Sequence, residues 1–127
     1  MAGFSNYLEN KVVGHVFGGA AYTAPSTLYV ALYTSAPSDT GGGTEVSGGA
    51  YARQTAAFTI SADTASNTSA IEYPTATANY GTVVAVGVFD ASSSGNLLAY
   101  GNLTTSKTVS TGDVFRFNAG AIDITVA

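Results

Sequence analysis

The sequence lacks cysteine and has a single histidine, and these two absences exclude whole classes of site. Without cysteine there is no disulfide scaffold, thiolate metal site or cysteine nucleophile. With His15 as the only histidine, most multi-histidine metal sites and most hydrolytic triads are excluded as well. No serine lies in a nucleophile-elbow motif, and no two carboxylates have a spacing typical of glycosidases. We therefore expect a protein that is not an enzyme and that needs no cofactor.

Charge is also scarce, because only 9% of the 127 residues are charged, against about a quarter in an average soluble protein. The four basic residues are scattered along the chain and the net charge is −4. A nucleic-acid-binding surface needs a cluster of cations that neutralises several phosphates. Direct binding to DNA or RNA is therefore not expected, and the surface must consist largely of uncharged polar residues.

Long hydrophobic runs are absent, although 46% of the residues are hydrophobic and the mean hydropathy is +0.22. No apolar stretch is long enough to span a bilayer. Glu9, Asn10 and Lys11 interrupt the N-terminal segment, which does not have the pattern of a signal peptide. We expect a soluble, non-secreted protein without a membrane partner, folded as one domain over residues 1–127.

One segment, residues 4–17, has helical periodicity. Phe4, Leu8, Val12 and Val16 recur at four-residue spacing, with Val13 and Phe17 beside them. The capping-box spacing of Asn6 and Glu9 predicts an N-cap at Asn6, with Ser5 as an alternative, and Gly18 and Gly19 predict the end of the helix. The apolar stripe of this helix must pack either on the sheet of its own domain or on a neighbouring subunit.

The rest of the chain is typical of short strands separated by turns. The pattern predicts strands at residues 27–34, 51–60, 69–73, 82–89, 97–103, 107–110, 114–117 and 122–126. The valine-rich segment 82–89 indicates a central strand buried on both faces, and residues 118–120 indicate a hairpin loop between the last two strands. Hairpin spacing of this kind predicts a mainly β, antiparallel β-sandwich or jelly-roll-like fold with one N-terminal helix.

The candidate ligand sites in the sequence are weak. Asp39, Glu45 and Asp90 could converge on a calcium ion from separate loops, but no sequence-local calcium motif is present. Asp90 is better explained as an acceptor for the backbone of its own turn. Residues 41–43 are three consecutive glycines, but no P-loop lysine follows, which favours a flexible loop. We therefore assign no metal.

Arg53 is the most informative single residue. In the predicted strand it lies on the same face as Tyr51, so it could stack on a tyrosine and bridge to Glu45 or to a neighbouring chain. The alternative is an arginine that simply faces solvent. The eight tyrosines suit either protein contacts or stacking on sugars.

Two long passages resemble a family of small virion proteins of tailed bacteriophages. The residues that carry the resemblance are those of segments 7–19, 28–34, 45–54, 73–81, 87–91 and 95–101, together with Pro25, Ser106, Lys107, Gly112, Asp113, Ala119 and Gly120. Members of this family are labelled as capsid decoration or cement proteins and, in other cases, as tail-fibre proteins. The resemblance implies a virion structural protein and no catalytic residue.

Our first hypothesis from this resemblance is a capsid decoration protein that binds the major capsid protein on the outer surface of the head. The alternative is a tail-fibre or tail-appendage protein involved in host attachment, located on the tail. Capsid cement proteins are typically trimers, so we expect a homotrimer. The residues expected at the subunit or capsid interface are Phe4, Leu8, Val12, His15, Val16, Tyr51 and Arg53.

Overall fold

The computed structural model describes residues 2–125 and is mainly β with one N-terminal helix, which confirms the predicted fold class. The helix is α1 (Asn6–Gly18). The strands are β1 (Ala2–Phe4), β2 (Leu28–Ser35), β3 (Thr44–Glu45), β4 (Gln54–Ala56), β5 (Phe58–Ser61), β6 (Thr64–Asn67), β7 (Ile71–Glu72), β8 (Gly81–Phe89), β9 (Leu97–Val109), β10 (Arg116–Phe117) and β11 (Asp123–Thr125). They form one sheet of nine strands and one of two.

The helix begins later than the periodicity predicted, at Asn6 rather than Phe4. Ser5 has extended backbone angles and its Oγ accepts a hydrogen bond from the Leu8 N–H at 3.3 Å, so Ser5 and not Asn6 is the N-cap. Phe4 instead pairs with Ala99 in the sheet. The helix ends as expected, because Gly19 adopts the left-handed conformation with φ of 70°. No helix within residues 2–125 is long and apolar enough to cross a membrane.

The nine-stranded sheet has the order β3-β2-β8-β9-β1-β11-β6-β5, with β4 also paired to β2. All the pairings are antiparallel except that of β1 with β11. The predicted central strand is confirmed as β8, which pairs with β2 on one side and β9 on the other. Val83, Val86 and Val88 of β8 lie in the main core, while its residues Ala85 and Phe89 lie in a second apolar cluster with Tyr33. Both faces of β8 are therefore covered, as its sequence predicted.

The two-stranded sheet of β7 and β10 contributes large aromatic residues to the main core. Tyr73 is 1% exposed, and its hydroxyl donates to the Val30 carbonyl of β2 at 2.7 Å. Its ring packs edge-to-face with Phe115 and Phe117. These contacts hold the small sheet against the inner face of the large one. The hydroxyl of Tyr73 is hydrogen-bonded although its ring is fully buried, so burial leaves no polar group unpaired there.

The predicted hairpin at the C-terminal end is wrong. β10 pairs with β7, whereas β11 lies between β1 and β6. The segment between the predicted strands 51–60 and 69–73 contains the strand β6, which is the antiparallel partner of β11. Asn67 fixes this arrangement, because its side chain donates to the Asn118 carbonyl at 2.9 Å and accepts from the Ile122 N–H at 2.8 Å. Val126, which ended the predicted last strand, lies outside the described residues.

Other predicted boundaries also differ from the observed ones. Segment 51–60 is two strands, because β4 pairs with β2 and β5 pairs with β6. Residues 107–110 are not a separate strand, since β9 continues through to Val109. The segment between the predicted strands 27–34 and 51–60, for which no strand was predicted, contains β3 and the buried Val46. In each case the strand with which a segment pairs decides where that segment begins and ends as a strand.

Candidate functional site

A cleft of about 660 Å³ opens at the outer face of β2 and β8. The start of α1, residues 39–43 and residues 94–97 form its walls. Its floor consists of Tyr33, Glu45, Arg53 and Phe89. This volume lies within the range of about 300 to 1,000 Å³ that is common for small-molecule sites.

Arg53 is held on this floor by four hydrogen bonds. Its Nε and one terminal nitrogen donate to the two carboxylate oxygens of Glu45, each at 2.9 Å. The other terminal nitrogen donates to the Ala91 carbonyl at 3.0 Å and the Ser94 carbonyl at 2.8 Å. The guanidinium also lies over the Phe89 ring, 3.8 Å from its centroid. The predicted bridge to Glu45 is confirmed, whereas the aromatic partner is a phenylalanine and the side chain is only 8% exposed.

Tyr51 connects this ion pair to the sheet. Its hydroxyl donates to Glu45 at 2.7 Å and accepts from the Leu32 N–H at 3.0 Å. Burial, followed by the hydrogen bond to Glu45, raises the pKa of Tyr51 far above its ordinary value. Burial alone would raise the pKa of Glu45, but the hydrogen bonds from Arg53 and Tyr51 outweigh it and lower that pKa. The carboxylate is therefore ionised at neutral pH, and its charge is compensated within the chain.

The glycine loop forms one wall and is tied to neighbouring elements. The Asp39 carbonyl accepts from the Asn6 N–H at 3.0 Å, and the Asp39 carboxylate accepts from the Tyr100 hydroxyl. At Gly43, with φ of 72°, a Cβ would lie 2.5 Å from the Ser35 carbonyl oxygen. Only glycine fits there. The glycine loop, predicted to be flexible, forms a wall of the cleft and is hydrogen-bonded at its Asp39 end.

The three carboxylates considered for calcium each accept hydrogen bonds from a different residue. Asp39 binds Tyr100, Glu45 binds Arg53, and Asp90 accepts from the backbone and side-chain nitrogens of Asn96 at 2.8 and 3.0 Å. Asp90 therefore closes its own turn, as predicted. Among residues 2–125, no three potential metal ligands of the histidine, cysteine and carboxylate types form a group.

The other residues expected at an interface lie along the N-terminal segment. Phe4 packs partly buried against the main core, and Leu8 and Val12 are half-buried. His15 is exposed, and its Nδ1 is 3.0 Å from the Ala20 carbonyl oxygen. Val16 is 61% exposed, as are its neighbours Val13 at 57% and Phe17 at 84%. We call Val13, Val16 and Phe17 the apolar end of α1.

The sequence interpretation missed two residues of the cleft floor, Tyr33 and Phe89. Tyr33 lies in the predicted strand 27–34, on the face that also carries Tyr29 and Ala31, and it packs in the second apolar cluster and not in the main core. The alternation of Tyr29, Ala31 and Tyr33 was the available signal. It gave no indication that a loop and a helix start would cover that face.

A family model described as "Podophage GP4 fiber I protein gp80" matches residues 3–125. The match covers almost the whole chain. The protein belongs to this phage fibre family. The fibre protein is therefore a structural protein of the phage virion and not an enzyme. No curated protein sequence matches the chain. Of the two hypotheses from the sequence, the match supports the fibre alternative better than the capsid cement hypothesis.

Proposed function

We propose that the chain is a structural subunit of a phage tail fibre, taking part in host attachment, and that it assembles with copies of itself. The observation that carries this proposal is the family match over residues 3–125, because the family is one of fibre proteins. The scarcity of charge supports it, since only 9% of residues are charged and a protein–protein contact then desolvates few of them.

The apolar end of α1 is the surface that we assign to this assembly. None of the thirteen residues of α1, all within the described chain, is buried, and Phe17 is 84% exposed. At about 100° per residue, Val13, Val16 and Phe17 lie within an arc of about 100° on the helix. Covering one side chain of this size contributes about 1.5 to 3 kcal/mol. Three adjacent ones give a patch that favours association over exposure to water.

The first half of α1 orients this patch. Ser5 is 1% exposed, its N–H donates to the Leu98 carbonyl at 2.8 Å, and its side chain caps the helix. Leu8 and Val12 are half-buried. The helix is thus attached to the sheet at its start, and its apolar end projects. Tyr51 and Arg53, predicted at an interface, have their polar groups engaged inside the chain, so we exclude them from this contact surface.

The mass of the protein in solution tests the assembly. Size-exclusion chromatography with light scattering should give three times the 12.7 kDa of one chain, the trimer that we expect. Phe17→Ser combined with Val16→Ser should shift the protein to the mass of one chain, because it removes most of the patch. Ile60→Ser, at a 69% exposed position on β5, is the control and should keep the parent mass. A parent protein that stays monomeric at high concentration contradicts the proposal.

Labelling of intact virions tests the location. Gold-conjugated antibody against the protein should mark the tail region, and quantitative mass spectrometry should count few copies relative to the major capsid protein. Labelling spread over the head, with a copy number comparable to that of the shell protein, would instead support the capsid cement hypothesis.

A further inference from the structure

The cleft above Tyr33 and Phe89 has features that self-assembly does not use. Tyr33 is 5% exposed, and its hydroxyl makes no hydrogen bond to any residue in the described part of the chain. Across residues 2–125 no polar side-chain atom is both fully buried and unpartnered, so this hydroxyl keeps contact with solvent. Tyr33 lines the cleft, so its hydroxyl can form a hydrogen bond with a ligand there although its ring is buried.

The charges on the cleft floor do not favour an ionic ligand. Four of the five N–H donors of Arg53 are used within the chain, and the charge of its guanidinium is compensated by Glu45. An anion would also meet the carboxylate of Asp39 on the wall. A metal ion finds no group of three ligands among the residues described. Anions and metal ions are thus disfavoured, and the cleft suits an uncharged ligand recognised by hydrogen bonds and apolar contact.

The free groups of the cleft match a compound with many hydroxyls. Tyr33 can donate or accept, Asp39 has one carboxylate oxygen not used by Tyr100, and Asn6 has an exposed amide on the wall. Tyr7 is half-buried and also lines the cleft, where it adds an aromatic ring with the Lys11 Nζ 5.6 Å from its centroid. Burial, followed by the nearby Glu45, raises the pKa of Tyr33, so the phenol stays protonated at neutral pH.

The floor is also fixed before any ligand arrives. The ion pair of Glu45 and Arg53, the hydroxyl of Tyr51 and the turn closed by Asp90 hold both sides of the cleft through hydrogen bonds of 2.7 to 3.0 Å. A fixed site loses little conformational freedom on binding. We propose that this cleft binds a neutral saccharide, with Tyr33 and Asp39 as its hydrogen-bonding residues.

The test uses the full-length protein displayed in many copies on streptavidin beads and applied to an array of neutral and acidic glycans. Multivalent display makes weak single-site binding measurable. We expect retention on neutral glycans, unchanged at 0.5 M NaCl because no net ligand charge is involved. No retention on any glycan, or retention on acidic glycans alone that is lost in high salt, overturns the proposal.

Two variants locate the binding, and calorimetry with the glycan selected on the array measures its affinity. Tyr33→Phe removes only the hydroxyl and should lower the affinity by about threefold to tenfold. Tyr29→Phe is the matched control, because Tyr29 is on the same strand but does not line the cleft, and it should bind like the parent. Asp39→Asn, which keeps the shape of the wall, should also weaken binding. Equal affinity of parent and Tyr33→Phe would refute the assignment.

The outcome is separate from that of the assembly experiment. Tyr33→Phe should have the same solution mass and the same urea midpoint as the parent, since the ring and its packing remain. A protein that binds glycan as a monomer would support the saccharide site and contradict the assembly, whereas a trimer that binds no glycan would do the reverse.

Discussion

Replacing Arg53 with methionine should destabilise the fold much more than the same change at Arg116. Methionine keeps an apolar stem over Phe89 but removes the four hydrogen bonds made by the guanidinium. The carboxylate of Glu45 is then left with Tyr51 as its remaining hydrogen-bond donor, and two backbone carbonyls lose their partner. The side chain of Arg116, by contrast, is 54% exposed and 3.5 Å from a Glu72 that is 58% exposed.

The magnitude follows from the burial of the two pairs. Removing one partner of a fully buried pair costs about 3 to 5 kcal/mol. The Glu45 side chain is 26% exposed and Arg53 is 8% exposed, so water recovers part of this loss and we expect about 2 to 3 kcal/mol. For Arg116→Met we expect less than about 0.5 kcal/mol, because exposed pairs contribute little.

Urea unfolding followed by circular dichroism measures this difference, at one fixed protein concentration because assembly also stabilises the fold. The urea midpoint for Arg53→Met should fall by roughly 1 to 2 M, with the dependence of the unfolding free energy on urea unchanged. The urea midpoint for Arg116→Met should stay within roughly a few tenths of 1 M of the parent value. Glu45→Gln adds a pH test. The pKa of Glu45 is lowered in the folded protein, so its stabilisation is present above the ordinary pKa of about 4.5 and is lost as the pH falls further.

The gap in stability between the parent and Glu45→Gln should therefore be widest at pH 7 and shrink below about pH 4.5. If the difference in stability between the parent and Glu45→Gln is the same at pH 7 and pH 3, the negative charge of Glu45 does not contribute to the stability of the fold. Equal midpoints for Arg53→Met and Arg116→Met would refute the reasoning from burial altogether.

Two further stability predictions can be measured in the same urea assay. Gly87→Ala should destabilise the fold by about 1 to 3 kcal/mol, because a Cβ there would lie 2.9 Å from Tyr33 and 3.2 Å from Phe89. Gly14→Ala should stabilise the helix by about 0.5 to 1 kcal/mol, because a Cβ at that position meets nothing within 4 Å. If both glycine variants shift the midpoint in the same direction, the packing argument is wrong. Asn67→Ala should cost about 2 to 3 kcal/mol, since the residue is 3% exposed and makes three hydrogen bonds, and an unchanged midpoint would mean that those bonds do not fix β11.

Local patterns predicted those elements whose stability depends on their own residues. The periodicity from Leu8 to Val16 and the glycine pair after it predicted the helix, and the valine-rich segment predicted β8. Both signals are properties of neighbouring residues, a repeat of 3.6 in one case and an uninterrupted apolar run in the other. The capping position was missed by one residue, because Ser5 and Asn6 have similar preferences and only the pairing of Phe4 with Ala99 distinguishes them.

The candidate site was predicted only in part. The bridge between Arg53 and Glu45 could be anticipated because opposite charges on nearby segments attract each other. Its other partners, the carbonyls of Ala91 and Ser94 and the ring of Phe89, are more than thirty residues away. No local pattern indicates such contacts.

The sequence by itself determined the class of this protein: a mainly β chain with one short helix, few charges and no recognised motif for common catalytic chemistry. Composition and short-range periodicity carry that information, because they set which segments can form strands and which chemistry is possible. The tertiary structure alone decided that β11 lies between β1 and β6, and that the Tyr33 hydroxyl, which makes no hydrogen bond within residues 2–125, lies in a cleft. Those features depend on contacts between residues distant in the chain, whose pairing is chosen by the packing of the whole core.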